Sequence, residues 1–219
     1  MVIKGDIRIF PGEVKDLLHG LATEDFFADG ILCGSWVMLV YRYHHQLMYA
    51  LHTEDIDFAI ETTRHCVADI PDLLKRLGYL PIFDNNGLEK FINDTFSIDF
   101  LIHRKGGKDV PYVNVKAMKI LAQPLPFMSM LYIDTITVDF GDFSIRIPCV
   151  EALFLHKLII AQRRRTGFKA RKDLEQCESL MPIVDAEKLA AIVNSQNFSK
   201  ATRSAIQKSA SHIGYRLSL

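Results

Sequence analysis

The chain has 219 residues, 49% hydrophobic and 24% charged, with 26 Lys plus Arg balanced by 26 Asp plus Glu. That is enough apolar side chain for one domain, or two small ones sharing a core, and the even charge excludes a whole-molecule attraction to nucleic acid. Cys33, Cys66, Cys149 and Cys177 contain no C-x-x-C pair, which disfavours a disulfide framework or zinc ribbon and fits a reduced setting.

In chain order, the N-terminal Met1–Arg8 mixes charged and apolar residues and has no signal-type core. Val14, Leu17, Leu18 and Leu21 give residues 14–27 the spacing of a helix. Residues 31–33 read as a short strand that turns at Gly34-Ser35 into a helix over 36–48. The apolar stretch 31–41 is broken at that turn and is too short to cross a bilayer, so the reading is a cytoplasmic protein with no membrane partner.

Residues 54–60 alternate, with Ile56, Phe58 and Ile60 on one face and Asp55, Asp57 and Ala59 on the other. A short helix over 71–77 has Pro71 in its first turn and Gly78 just past its end. Residues 88–93 and 96–103 predict a hairpin, whose second arm turns Ile98, Phe100 and Ile102 one way and Ser97, Asp99 and Leu101 the other. The charged loop 104–109 and the stretch 124–126 read as irregular, and 133–139 with 143–147 as a second hairpin. From Val150 the pattern is helical: 151–164, 171–180, 186–194 and a tail after Phe198. The expected class is α+β, a mixed or antiparallel sheet with flanking helices over 1–147 and a helical bundle over 148–219.

The chemistry lies in the acidic strands. Asp is depleted in strands, yet Asp55 and Asp57 share one face, roughly 6.5–7 Å apart along it. With Asp99 on a matching strand they form a ligand set suited to a hard divalent cation. A Gly-Ser turn opening a helix presents free N–H groups to a phosphate. Metal-assisted phosphoryl or nucleotidyl transfer needs that combination. No His/Cys ligand spacing, Walker loop or dinucleotide fingerprint occurs.

Gly34-Ser35, Asp55-Ile56-Asp57 and Asp99 together resemble the DNA polymerase β-like nucleotidyltransferase superfamily. The segment Leu51-His52-Thr53-Glu54-Asp55-Ile56-Asp57 is similar to its bacterial branches, an uncharacterised nucleotidyltransferase family and the abortive-infection toxins. Leu155-His156-Lys157-Leu158 and Lys172-Asp173-Leu174 are similar to the C-terminal helices of that uncharacterised family. Leu51 stands where related sequences often have Arg, and the long interval from Ser35 to Asp55 implies a longer helix or an extra turn.

The resemblance implies two Mg²⁺ ions held by Asp55, Asp57 and Asp99, with Asp99 nearest the attacking hydroxyl. The NTP would lie against Gly34, Ser35, Lys157, Arg163 and Lys172, and its NMP would pass to a hydroxyl of RNA, protein or a small molecule. Arg163-Arg164-Arg165 with Lys169, Arg171 and Lys172 reads equally well as a solvated helix end. The alternative is a catalytically inactive module of the same fold, a nucleotide sensor or an antitoxin-type partner.

Overall fold

The structure is a computed structural model that describes residues 1–61, 65–104, 106, 110–164 and 166–217. β1 (Val2–Lys4) leads through a 3-10 turn into α1 (Gly12–Thr23), which buries Val14, Leu17, Leu18 and Leu21 as their spacing predicts. The helix expected to continue to residue 27 breaks instead. Asp25 takes a left-handed conformation (φ 58°) and a separate α2 (Phe26–Asp29) follows, which buries both Phe26 and Phe27.

β2 (Gly30–Cys33) and α3 (Val37–His45) flank the Gly34-Ser35 turn as expected. Gln46, also left-handed (φ 57°), stops α3 short of residue 48, so the long interval before Asp55 is loop and not extra helix. The chain continues through β3 (Asp55–Ile60), α4 (Ile70–Arg76), β4 (Leu80–Phe83), β5 (Glu89–Ile92) and β6 (Ser97–His103). Then come β7 (Val113–Val115), β8 (Ile120–Leu125), β9 (Thr135–Asp139) and β10 (Ser144–Pro148). Four helices close the chain: α5 (Val150–Ala161), α6 (Gly167–Leu180), α7 (Ala186–Ser195) and α8 (Lys200–His212).

This is the expected class, a mixed sheet with flanking helices followed by helices. The larger sheet has the order β2-β3-β6-β5-β4, with β7 and β8 joined to it through the β8–β6 pairing, and β1-β9-β10 form a smaller one. Both predicted hairpins form. β1, β4, β7 and β8 are not among the expected elements, and two of them each hold a proline, which reads as a break. Pro81 lies in β4, at the end of the sheet order, and Pro124 pairs with Ile102 near the ends of β8 and β6, positions where a missing donor costs least. Of the loop expected at 104–109, residues 105 and 107–109 lie outside the described residues.

The apolar backs of β3 and β6 meet in register, Ile56 beside Ile98 and Phe58 beside Phe100. Phe58 packs on Phe26 at 5.4 Å and on Phe100 at 5.9 Å between ring centroids. α5 is buried at every residue but Ile160, and α6, α7 and α8 pack around it. One hydrophobic cluster of buried residues runs from Phe10 to Ile213, and all four cysteines are buried and free. No helix of the described residues is long and apolar enough to cross a membrane.

Replacing Phe58 by Ala leaves a cavity under the sheet and costs about 3–5 kcal/mol, read as a lower urea midpoint at unchanged slope. A midpoint within error of the wild type would contradict the packing described.

Candidate active site

The sheet register builds the site. Antiparallel β2 sets Cys33 beside Asp57, and parallel β6 sets Asp99 on the other side of Asp57. β5 pairs Phe91 with Ile98, and one position further along the hairpin Lys90 faces Asp99. Directly opposed residues share a face of the pleat, so Cys33, Asp57, Asp99 and Lys90 form one row across four strands. Asp55 shares that face, two residues before Asp57. Lys90 Nζ donates to Asp99 Oδ2 at 2.8 Å.

The Gly34-Ser35 turn closes over this row. Gly34 has φ +67°, and a Cβ there would stand 2.1 Å from Asp57 Oδ2. Only glycine permits both the conformation and the approach of that carboxylate. Trp36 Nε1 donates to the Asp55 carbonyl at 2.9 Å, tying the turn to the acidic strand. Ser35 Oγ accepts from Gln176 Nε2 at 2.9 Å, and the same amide donates to Tyr49 Oη at 2.7 Å. Gln176 Oε1 is buried without a partner among the described residues.

The helical half supplies cations. Lys157, on α5, is buried and pairs with Asp173 Oδ1 at 3.4 Å, and Arg164 Nε reaches Asp173 Oδ2 at 2.7 Å. Lys172, Gln176 and Ser179 lie on one face of α6 and grip the 46–54 loop: Lys172 Nζ donates to the His52 carbonyl at 2.9 Å and Ser179 Oγ to the Met48 carbonyl at 3.4 Å. Arg163 is engaged elsewhere, 4.7 Å above the Phe127 ring and 3.2 Å from Thr202 Oγ1. Arg165 lies outside the described residues. Asp55, Asp57, Asp99, Gly34 and Ser35 thus gather at one end of the sheet, and Lys157 and Lys172 act on them from above. Arg163 is not brought to the carboxylates by any described contact.

The charges interact as this layout requires. Burial, then Asp99 and Asp55, pushes the Asp57 carboxyl up to about 6, against the pull of Lys157 and Arg164. Burial raises the Cys33 thiol strongly, and Asp57 adds to it, so Cys33 is an inert neighbour. Burial would lower Lys90, but its bond to Asp99 and the fields of Asp99, Asp55 and Asp57 raise it overall. Burial and Lys157 lower Lys172, while Asp55 and Asp57 pull the other way.

Among the described residues, no group of three or more His, Cys, Asp or Glu side chains is drawn close enough to hold a metal ion as it stands. The donor chemistry does fit one. Asp55, Asp57 and Asp99 offer oxygen alone, and the repulsion that raises Asp57 is what a hard divalent cation would relieve.

Lys90, Tyr49, Gln176 and Arg164 carry contacts that the sequence reading assigned to no individual role. Lys90 had a signal, since counting back from the hairpin turn sets it opposite Asp99. Tyr49 and Gln176 are 127 positions apart and had none.

A family described as nucleotidyltransferase matches residues 12–201. The fold is similar to the crystal structure of an antigenic nucleotidyltransferase-like protein from Paracoccidioides brasiliensis, with a TM-score of 0.52 and 12% identity over 94% of each chain. At that identity the likeness speaks for the fold alone. None of the curated proteins matches.

The raised Asp57 has a stability consequence. Its folded value, about 6, exceeds the ordinary 3.8, so the native state binds this proton more tightly than the unfolded chain does. The stability this confers is present below the ordinary value and is lost as pH rises to about 6. Asp57→Asn removes the loss, so the variant is the more stable protein above that pH, by at most about 3 kcal/mol. Denaturant titrations across that pH range check this, and parallel pH profiles for the two proteins would refute it.

Proposed function

The chain belongs to this nucleotidyltransferase family, and we propose that it transfers an NMP from an NTP to a hydroxyl of RNA, protein or a small molecule, releasing pyrophosphate. The observation that carries the reading is the in-register placing of Asp57 beside Asp99, with Asp55 on the same face and the Gly34 turn against Asp57. Asp55, Asp57 and Asp99 would hold Mg²⁺. When bound, Mg²⁺ supplies charge neutralisation and polarisation at the phosphate undergoing transfer.

The remaining roles belong to the chain itself. Gly34 lets the backbone approach a phosphate, and Ser35, fixed by Gln176, gives its hydroxyl hydrogen to a phosphate oxygen. Asp99 Oδ1, the oxygen not bonded to Lys90, takes the proton of the acceptor hydroxyl. Lys157, Arg164 and Lys172 provide positive charge for the triphosphate tail, with Arg164 the most exposed member of the Asp173 cluster.

We assign catalysis to residues 1–147 and the cover over the nucleotide to 148–219. The similarity of residues 51–57 supports a place beside the bacterial abortive-infection toxins, and the four cysteines without a C-x-x-C pair support a reduced, cytoplasmic setting. A second reading, a nucleotide-binding module without catalysis, is favoured by one observation: Lys90 occupies Asp99.

Thermal shift with each of the four NTPs, with and without Mg²⁺, tests the site. The expected outcome is a Mg²⁺-dependent stabilisation by one or more NTPs that is lost in Asp57→Ala. Pyrophosphate release should fall by roughly a thousandfold in that variant, as loss of several kcal/mol of transition-state stabilisation demands. Stabilisation by an NTP without any pyrophosphate release would favour the binding module. Equal pyrophosphate release by wild type and Asp57→Ala would sink the catalytic reading, and no stabilisation of either protein by any NTP would sink both.

A further inference from the structure

Lys90 has no part in the fold that explains its position. It stands on β5 at the end of the carboxylate row, its side chain 35% exposed, while its partner Asp99 is 14% exposed. A partly exposed ion pair adds little to stability. Here the ammonium is 2.8 Å from the third carboxylate, and Asp55 and Asp57 feel its field as well. A divalent ion reaching Asp99 either displaces that ammonium from Oδ2 or binds Oδ1 across a single carboxyl group from it. Both arrangements place like charges against each other.

This inference rests on the nucleotidyltransferase reading. We propose that Lys90 is a positioning residue that competes with the divalent cation for Asp99, so that metal joins the third carboxylate only together with the negative charge of a nucleotide. In the nucleotide-free protein the ammonium satisfies Asp99. When a triphosphate enters, its charge offsets the repulsion between Lys90 and the ion, and the released ammonium finds phosphate oxygens as new partners. Metal and nucleotide binding are thereby coupled through one side chain.

Mn²⁺ binding to the nucleotide-free full chain, followed by electron paramagnetic resonance, tests this without any turnover. Lys90→Met should bind Mn²⁺ roughly tenfold more tightly than wild type, the order expected on removing a unit charge beside the ion. Lys90→Arg, which keeps the charge, should stay with the wild type. Asp99→Asn combined with Lys90→Met should lose the gain, and a saturating NTP should narrow the difference between wild type and Lys90→Met. Mn²⁺ affinity unchanged or weaker in Lys90→Met, with Asp57→Asn still impaired, would overturn the role of Lys90 and leave the metal site standing. Identical Mn²⁺ binding in wild type and Asp57→Asn would overturn the metal site and this inference with it.

Discussion

The repulsion between Asp57 and Asp99 is the constraint on which the rest of this structure depends. Parallel strands β3 and β6 hold the two carboxylates side by side, and burial, with the repulsion of Asp99 added to it, raises the carboxyl of Asp57. What keeps the strands from slipping apart is the opposite face. Ile56 against Ile98 and Phe58 against Phe100 are buried in the same register. A slip of one residue would bury the carboxylates and expose the aromatic rings. The apolar back therefore enforces an arrangement that the acidic front opposes.

The helical half answers that repulsion and is fastened to it at several points. α6 grips the 46–54 loop through Lys172, Gln176 and Ser179, and that loop ends in Asp55. Gln176 also reaches the Ser35 hydroxyl, and Trp36 reaches the Asp55 carbonyl. Turn, acidic strand and α6 are thus one hydrogen-bonded unit, so a displacement of α6 moves Ser35 and the loop before the carboxylates together. Burying Lys157 and Asp173 costs desolvation, which the pairing with Arg164 and the nearby carboxylates offsets.

How much of this could be read in the sequence follows from the range of the interactions. The two acidic strands were legible because alternation is local, and the expected strand positions of Asp55, Asp57 and Asp99 and the turn at Gly34-Ser35 follow from spacing. The hairpin that carries Lys90 was legible too, but the pair itself needed the register counted across the turn. Pro81 and Pro124 hid β4 and β8, since a proline signals a loop unless its neighbours are known. Asp25 and Gln46 ended helices by adopting left-handed backbone that their residue types only permit. Arg163 and Arg164 are adjacent in sequence, and only the fold turns one to Phe127 and the other to Asp173. The role of Gln176 depends on a contact between halves of the chain, which no local pattern encodes.

Charge balance joins these parts into a functional argument. Among the described residues, Lys90 pairs with Asp99 and both Lys157 and Arg164 with Asp173, while Lys172 holds the His52 carbonyl. On the proposed function, a lone divalent ion would meet the ammonium on Asp99, and a lone triphosphate would meet Asp57 and Asp55. A triphosphate carries roughly four negative charges, which two divalent ions neutralise. On that proposal the two entering together would add no net charge, and the cations would relieve the Asp57–Asp99 repulsion. Under the proposed function such a site would discriminate against either component alone, and the residue that would set this is the lysine on the sheet, since the cations on the helices are already engaged with Asp173 and His52.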